Sequence, residues 1–425
     1  MNIVEKRKKI PLAGKTDVAV VGGGIAGCAA ALAAARSGVK VILIEKESAL
    51  GGLATLANVI VYLPLCDGNG NQVIGGIAEE FLKLSVNDGF YKIPDCWEAN
   101  ADPGQQKNSR YRVDFNPANL ILELERILLD AGVEIWYDNR FCDVICDNKE
   151  IKYLLIENKS GRIALKAKNI IDCSGDADVC ARAGEKTESL HTNVLCGWFF
   201  LFESENQNNI ITKNYIENQE IPSSTDGRIL RLKVKPLSKK YSSDPNFLPE
   251  GEKGYAGDNF LDISTHIIAS RKLIREKLDE LRKNSPDKKI YPGILPLLPS
   301  LRMTRRIVGK TELKIHDEFR YFEDSVGMTG DWRKKGPVFF IPLSSLTAVK
   351  NKNLCVAGKI ISSAGEAWDV TRVIPVCALT GEIAGTASAL AVKRKKSDIS
   401  SLNIDKLRTI LIKQGVIIDK SFAKK

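Results

Sequence analysis

A glycine-rich turn near the start of the chain constrains the fold more than any other feature. It joins a β-branched apolar run, "DVAVV", to an alanine-rich stretch, "IAGCAAALAAARSG", that ends at Gly38. The run is typical of a buried strand and the stretch of a helix closed by glycine. Gly22 permits a tight exit from the strand, Gly24 lets the backbone approach a pyrophosphate, and Gly27 allows close packing of helix and strand. The order strand, turn, helix predicts a dinucleotide-binding βαβ unit.

The segment after this helix narrows the choice of nucleotide. "VKVILIEKE" predicts a second buried strand that ends at Glu45, whose carboxylate is placed to accept hydrogen bonds from a ribose diol. An acid here disfavours a 2′-phosphate, which argues against NADP. The helix N-terminus would offer free N–H groups and a positive dipole end to phosphates. The motif alone leaves NAD and FAD as alternatives.

Length and composition indicate two lobes in an intracellular protein. The chain has 425 residues, 44% of them apolar, which exceeds one average domain and is enough for a sizeable core. No apolar run has the length of a membrane span, and the first fifteen residues lack the apolar core of a signal peptide. We therefore expect a soluble, cytoplasmic protein.

The cysteine spacing and the net charge argue against metal-binding and nucleic-acid-binding functions. None of the ten cysteines forms a C-x-x-C pair, so neither a zinc ribbon nor an iron–sulfur cluster is expected, and we predict no metal site. The net charge of +10 raises the question of RNA, but the lysines are dispersed along the chain. Nucleic acid is therefore not the favoured partner, and a small-molecule substrate is.

Changes in the pattern of apolar and polar residues along the chain predict its division into domains. The second strand is followed by an apolar loop region, a helix, a hairpin and a strand that ends in "CSGD"; aromatic strands, polar loops and a charged helix come next. A buried strand and a helix of small residues follow, and their pattern is like that of the first part of the chain. The predicted parts are 1–15, a basic N-terminal arm; 16–190, the first part of the nucleotide-binding domain; 191–340, a substrate or cap domain; 341–395, the return segment; and 396–425, a C-terminal appendage.

Five motifs, in order, resemble those of the FAD-dependent oxidoreductases, relatives of the glutathione-reductase-like and fumarate-reductase-like flavoproteins. They are the opening turn, "LGGLAT" with "DGNGNQVIGGIAEE", "NIIDCSGDADVCARAG", "LRMTRRIVG", and "NLCVAGKIISS" with "TRVIPVCALTGEIAGTASALA". The resemblance covers nearly the whole chain. It implies an α/β fold, in which a Rossmann-like FAD-binding domain with a parallel sheet and a β-meander carries a discontinuous α+β substrate or cap domain.

The resemblance also implies which residues would contact FAD. Glu45 would hold the adenosine ribose, the strand near Phe141 would present its backbone to the adenine, and Ser174 to Asp176 would form a second close approach. Gly52 would lie beside the phosphates and ribityl chain, and Gly358 would let a strand end pack under that chain. The full predicted set is Gly22, Gly24, Ile25, Ala26, Gly27, Glu45, Lys46, Gly51, Gly52, Leu53, Phe141, Ser174, Gly175, Asp176, Gly358, Arg372 and Val373.

The helix that begins near Arg372 and Val373 would direct its positive end at the flavin pyrimidine. Reduced flavin is negatively charged there, so a helix N-terminus and a guanidinium would ease hydride acceptance at N5. The alternative for Arg372 is an ion pair with Asp369. Lys359 stands where family members often carry arginine, which puts a bidentate contact in doubt. Without an early histidine anchor or a second G-x-G-x-x-G, we expect noncovalent FAD and no built-in NADPH domain.

The catalytic candidates are an arginine cluster and a histidine. "SLRMTRRIVG" supplies Arg302, Arg305 and Arg306, and an extended segment would place Arg302 and Arg306 on one face, where they could clamp a carboxylate. Bracing of the two lobes through ion pairs is the alternative for these arginines. His191, before an aromatic strand, is a candidate general base, as is His316, although lone histidines are more often scaffold residues.

We therefore predict an enzyme, an FAD-dependent oxidoreductase that transfers a hydride between flavin N5 and a small polar substrate, with carboxylates as the candidate class. One alternative is a tRNA-modifying flavoprotein, motivated by the charge. Another is an electron-transfer subunit that needs a redox partner. The substrate, the direction of the reaction, the oligomeric state and the reoxidant, oxygen or a partner protein, stay open.

Overall fold

The computed structural model describes residues 9–424 except 103, 196, 205–226, 235–245, 249, 287 and 397. The strands in this part of the chain are β1 (Leu12–Val21), β2 (Val41–Ile44), β3 (Val61–Tyr62), β4 (Val113–Asp114), β5 (Glu134–Trp136), β6 (Arg140–Asp147), β7 (Glu150–Asn158), β8 (Gly161–Asp172), β9 (Thr187–Ser189), β10 (Gly197–Ser204), β11 (Gly227–Val234), β12 (Lys289–Pro292), β13 (Arg305–Ile307), β14 (Ser325–Gly330), β15 (Val338–Pro342) and β16 (Leu354–Val356). The α-helices are α1 (Ile25–Arg36), α2 (Leu53–Leu56), α3 (Ile77–Ser85), α4 (Pro117–Asp130), α5 (Asp178–Arg182), α6 (Phe260–Asn284), α7 (Glu366–Thr371), α8 (Ile374–Lys393) and α9 (Ile404–Lys413).

Among the described residues, the main sheet has seven strands in the order β5-β2-β1-β8-β7-β6, with β16 also paired to β8. Neighbours among β5, β2, β1, β8 and β16 run parallel, whereas β6, β7 and β8 form an antiparallel meander. The predicted fold class, α/β with a parallel sheet and a β-meander, is confirmed. Both β1 and β2 carry consecutive buried apolar residues because helices and loops cover both faces of the sheet.

Strand β8 is shared between two neighbours on one side. Its first half pairs with β7, and its last residues pair with β16, where Leu354 lies opposite Ile170. The chain therefore returns from residues 191–340 to complete the sheet that it began near its start.

Small residues bring α1 and α8 into close contact. An added Cβ at Gly381 would lie 2.2 Å from the Ala26 carbonyl oxygen, and one at Gly385 would lie 2.2 Å from that of Ala30. The two helix backbones can approach this closely only because these positions lack side chains. This packing joins the start of the chain to its return segment.

Helix α8 also has the length and composition of a membrane-spanning helix. Within the described residues it alone passes that test, and 83% of its most apolar window is buried inside the protein. Core helices commonly share these properties.

A smaller antiparallel sheet, β11-β10-β12, lies in the middle of the chain with α6. Ile274 and Leu278 of α6 are buried in a separate small apolar cluster with Ile290 of β12. The antiparallel pair β14-β15 instead packs in the main core, with β14 against α8. The predicted domain limits stay predictions; β1 begins inside the range assigned to the N-terminal arm, whose residues 1–8 lie outside the described part.

Candidate active site

Four strand ends lie side by side at the carboxyl edge of the main sheet. Val21 of β1 pairs with Ile44 of β2 and with Asp172 of β8, and Asp172 pairs with Val356 of β16. The residues that follow these ends are therefore aligned in the order of the strands. In open α/β sheets, ligands bind in the crevice outside such an edge.

The glycine turn after β1 has the geometry that its spacing predicted. Gly22 has a φ of +102°, and a Cβ at Gly27 would lie 1.7 Å from the Gly22 carbonyl oxygen. A Cβ at Gly24, by contrast, would meet no atom of the described residues within 4 Å. Helix α1 begins here with Ile25 and Ala26, and no side chain of the described residues caps its N-terminus. Gly24 therefore borders open space beside uncapped N–H groups, a cradle that fits a pyrophosphate.

Glu45 follows β2 with its side chain buried. Its Oε2 accepts a hydrogen bond from the Gly23 N–H at 2.5 Å, and its Oε1 accepts one from the Glu47 N–H at 2.8 Å. Burial raises the pKa of Glu45, although both N–H donors oppose that rise. Each carboxylate oxygen keeps a second lone pair, so the group can still accept from a ribose. Lys46, next in the chain, is exposed.

The segment at the start of β6 adjoins the same end of the site. The Asn139 N–H donates to the Glu45 carbonyl oxygen at 3.0 Å, and β6 begins with the next residue. Phe141, predicted to lie at the adenine, is half-buried in this strand. The structure thus brings the predicted ribose and adenine residues together.

Gly51, Gly52 and Leu53 also lie beside the glycine turn. The Gly51 N–H donates to the Gly23 carbonyl oxygen at 2.8 Å, and a Cβ at Gly52 would lie 3.1 Å from the Gly24 Cα. Gly52 has a φ of +56° and directly precedes Leu53, the first residue of α2. These residues, though far along the chain from Gly24, line the same cradle.

The loop after β8 is connected to the segment after β16 through Asp176. Lys359 Nζ lies 2.9 Å from Asp176 Oδ1, and the Thr304 hydroxyl donates to the same oxygen. Burial alone would raise the pKa of Asp176, but the charge of Lys359 and these hydrogen bonds lower it. Ser174 and Gly175 form the turn that leads to Asp176, with Gly175 at a φ of +83°. Lys359 therefore makes a single-point ion pair here.

Gly358 lies where β16 and the start of α8 meet the glycine turn. Its φ is +86°, and a Cβ there would lie 2.8 Å from the Ala26 Cβ. Helix α8 begins after Val373, as predicted. Arg372 donates to Asp369 Oδ1 through Nε at 2.8 Å and also through Nη2, so the ion pair considered as the alternative for this arginine is present.

Two arginines of the predicted cluster are occupied by acidic partners. Arg305 donates to Asp178 Oδ1 and to the Asp176 carbonyl oxygen, each at 2.7 Å. Arg306 is buried, with Glu188 at 2.5 Å and Glu312 at 2.8 Å. These contacts favour the bracing alternative for both residues, so the catalytic role of Arg305 stays a prediction that its contacts do not support. A clamp made of Arg302 and Arg306 together does not form, because Arg306 is enclosed by its acids.

Arg302 differs from these two neighbours. Its side chain is half-buried, and within the described residues it makes no ion pair. Residues 297–304, which contain it, run from α2 to the loop after β8: the Leu297 N–H donates to the Leu56 carbonyl oxygen at 2.7 Å, and Thr304 contacts Asp176. Arg302 therefore lies on a segment that connects α2 with the loop after β8.

The histidines have different environments. His191 is exposed after β9, and its role as a base stays a prediction; His316 is exposed as well. His266 of α6, which we did not predict as a site residue, is buried with its ring 5.1 Å from that of Tyr255. Burial lowers the pKa of His266, which favours the neutral form. No group of three or more His, Cys, Asp or Glu in the described part of the chain could hold a metal ion.

One set of residues near α8 was missed by sequence reasoning. Arg110 donates to the carbonyl oxygens of Trp332 and Lys334 at 2.5 and 2.7 Å, which fixes the turn between β14 and β15. The Trp332 indole N–H then donates to the Asp369 carbonyl oxygen at 3.0 Å. Through the Asp369–Arg372 ion pair, these contacts extend to Arg372, the residue before Val373. Nothing in the spacing of Arg110, Trp332 and Asp369 along the chain indicated that these residues would be partners.

The fold and this edge define a class of protein: a dinucleotide-dependent α/β enzyme with an acid placed for an adenosine ribose. The sequence profile of the family described as FAD dependent oxidoreductase matches residues 17–411, and the chain belongs to that family. FAD is accordingly its cofactor, and the open cradle at Gly24 fits the pyrophosphate of that group.

Individual relatives are more distant. The chain is 30% identical over 140 residues to a thioredoxin reductase of Ureaplasma parvum serovar 3, a match of 33% of this chain and 42% of that protein. It therefore spans less than half the length of this curated relative. Two solved structures also align: a geranylgeranyl bacteriochlorophyll reductase-like protein from Thermoplasma acidophilum (14% identity, 96% of this chain and 94% of that one, TM-score 0.42) and a p-nitrophenol 4-monooxygenase from Pseudomonas putida (13%, 94% and 86%, TM-score 0.44). These scores are too low to indicate the chemistry of this chain.

Proposed function

We propose that this FAD-dependent oxidoreductase transfers a hydride between flavin N5 and a small polar substrate that carries a carboxylate. The observation that carries the proposal is Arg302: it has no acidic partner among the described residues, whereas Arg305 and Arg306 both have one. A half-buried guanidinium without a partner is suited to bind a carboxylate through two parallel hydrogen bonds.

The residues around Arg302 support a role in orienting such a substrate. The segment 297–304 is fixed at Leu56 on one side and at Asp176 on the other, so the position of Arg302 is constrained at both ends. Bound FAD supplies an atom, N5, that accepts or donates a hydride. Arg302 would hold the substrate carboxylate so that its reacting carbon has one orientation, which lowers the entropic part of the barrier.

The experiment compares three variants of the FAD-loaded protein. Small carboxylates and their amides are mixed anaerobically with oxidised protein to detect flavin bleaching, and with reduced protein to detect its recovery. We expect a carboxylate to react and Arg302→Ala to weaken its binding by about 10- to 150-fold, since a hydrogen bond to a charged group contributes about 1.5–3 kcal/mol. Arg302→Lys should recover only part of this loss, because a point charge replaces a fork.

Arg320→Ala is the matched control. Arg320 is an exposed arginine paired with Asp317, so its removal should leave substrate binding unchanged. If Arg302→Ala binds the reacting substrate as the unmodified protein does, or if the amide reacts as well as the carboxylate, the proposal is wrong.

A cytoplasmic location and a reoxidant, oxygen or a partner protein, belong to the same proposal. In support of a reducing compartment, the nine cysteines in the described residues are all free thiols.

A further inference from the structure

The junction between α7 and α8 contains a buried ion pair, Asp369–Arg372, in which the carboxylate offsets the positive charge of the guanidinium. Asp369 is 1% exposed, and its Oδ1 accepts two hydrogen bonds from the Arg372 guanidinium, whose side chain is 12% exposed. The two partners are three residues apart in sequence at the end of α7, and both are shielded from bulk water. Its electrostatic effect on a neighbouring group is therefore weakly screened by salt.

If FAD extends along the sheet edge in the order of the strand ends, its flavin half would lie beside this pair. Glu45 marks the ribose at the end of β2, and Gly24 marks the pyrophosphate at the end of β1. A dinucleotide extended along the edge continues past β8 to β16. Both α7 and α8 contact the residues after β16: the Trp368 indole N–H donates to the Lys359 carbonyl oxygen at 2.6 Å, and the Gly358 N–H donates to the Thr380 hydroxyl at 3.0 Å.

The side-chain charges at this junction do not sum to a positive value. Arg333 pairs with Asp331 and Glu366 at 2.8 and 2.9 Å, next to the Arg372–Asp369 pair. The hydrogen bonds that Arg333 donates to Asp331 raise the pKa of Arg333, and the charges of Asp331, Asp369 and Glu366 add to that rise. Two guanidiniums thus face three carboxylates. The positive charge expected of Arg372 at the flavin is offset by its own partner.

The backbone around Asp369 is held by the turn between β14 and β15. Trp332 donates to the Asp369 carbonyl oxygen, and Arg110 fixes Trp332 through its carbonyl oxygen. Asp369 is therefore constrained through the main chain as well as through its ion pair. A change of its charge can be made without removing this support.

We infer that Asp369 is a positioning residue that holds Arg372 and offsets its charge, and that it thereby lowers the midpoint potential of the bound flavin. Two electrons and one proton convert oxidised flavin to its anionic reduced form, so one negative charge is added near the pyrimidine. Removing the carboxylate charge of Asp369 leaves Arg372 uncompensated, which favours the reduced form. The inference rests on FAD as the cofactor and is independent of the proposed substrate.

The test is the midpoint potential of FAD-loaded Asp369→Asn, measured anaerobically by equilibration with a reference dye. Asparagine keeps an oxygen that can accept from Arg372 and removes the charge. We expect the binding preference for reduced over oxidised FAD to increase at least tenfold, a positive shift of about 30 mV for a two-electron couple. Arg372→Gln should shift the potential in the negative direction, because it removes the opposite charge.

Two variants separate charge from packing. Glu366→Gln removes a carboxylate of the same helix that pairs with Arg333, and it should shift the potential by less than half as much as Asp369→Asn. Trp332→Phe removes a hydrogen bond to the Asp369 backbone and no charge; it should lower thermal stability with an unchanged potential.

An unchanged or lower potential in Asp369→Asn overturns the inference, as does an equal shift in Glu366→Gln. If Asp369→Asn does not retain FAD, Arg372→Gln decides: a potential that does not fall overturns it. None of these readouts involves a substrate, so a failure here is distinguishable from a failure of the Arg302 proposal.

Discussion

Replacing Gly24 by alanine adds one methyl group where the structure leaves space beside the α1 N-terminus. Gly24 has a φ of −66° and a ψ of 179°, which alanine adopts without strain. Within the part of the chain that the structure describes, its added Cβ would meet no atom within 4 Å. The fold itself should tolerate this change, with an effect on the free energy of unfolding below about 1 kcal/mol. The methyl group would, however, occupy space that the cofactor phosphates need.

FAD affinity should fall because the added methyl group would displace a phosphate of FAD, which would then lose hydrogen bonds to backbone N–H groups. A hydrogen bond between a backbone N–H and a charged phosphate contributes about 1.5–3 kcal/mol, so the loss of one weakens binding by about 10- to 150-fold. Gly27→Ala is the instructive comparison. Its Cβ would lie 1.7 Å from the Gly22 carbonyl oxygen, so the turn itself must shift before any cofactor is present.

The assay combines thermal unfolding of the apoproteins with FAD titration followed by fluorescence quenching. Gly24→Ala should keep the apoprotein unfolding temperature and lose FAD affinity, whereas Gly27→Ala should lose both. If Gly24→Ala binds FAD with unchanged affinity, the pyrophosphate does not lie against Gly24. If its apoprotein is destabilised as much as that of Gly27→Ala, the space at Gly24 is not free.

Two further predictions concern stability. Glu382 is buried and accepts a hydrogen bond from the Ile77 N–H, and burial raises its pKa to about 8 from 4.5. Between these two pH values the folded state keeps a proton that the unfolded state has lost, so the free energy of unfolding should fall by on the order of 2–4 kcal/mol from pH 5 to pH 8. In urea unfolding, the Glu382→Gln variant should not show this fall. An equal fall in the variant contradicts the raised pKa of Glu382. Gly385→Ala places a Cβ 2.2 Å from the Ala30 carbonyl oxygen. Overpacking by about 1–3 kcal/mol should outweigh the helix propensity gain of roughly 1 kcal/mol, so thermal unfolding should show a destabilised protein, and a stabilised one would refute the close contact of α1 and α8.

The parts of the site that the sequence predicted are those built from neighbouring residues. Gly22, Gly24, Gly27 and Glu45 lie within one βαβ unit, where spacing alone determines which backbone groups meet. The start of α8 after Val373 is local in the same sense. Such features follow from chain geometry and from the special conformations of glycine.

The contacts that were missed join distant positions. Arg110 and Trp332 are 222 residues apart, and Ile77 and Glu382 are 305 apart, so no periodicity or spacing connects them. The arginines after Leu301 show the same limit. Their charge was evident, but whether an acid or a substrate pairs with each depends on tertiary neighbours such as Glu312.

The close packing of α1 against α8 has a consequence for synthesis on the ribosome. One edge of β8 is covered when β16 has been made, about 180 positions later, and the apolar surface of α1 is covered when α8 has been made, more than three hundred positions later. At about 5–20 residues per second this interval is roughly 20–70 s. During that time the incomplete domain exposes alanine-rich and β-strand surfaces, so the newly made chain should depend on chaperones more than a protein whose sheet is contiguous in sequence.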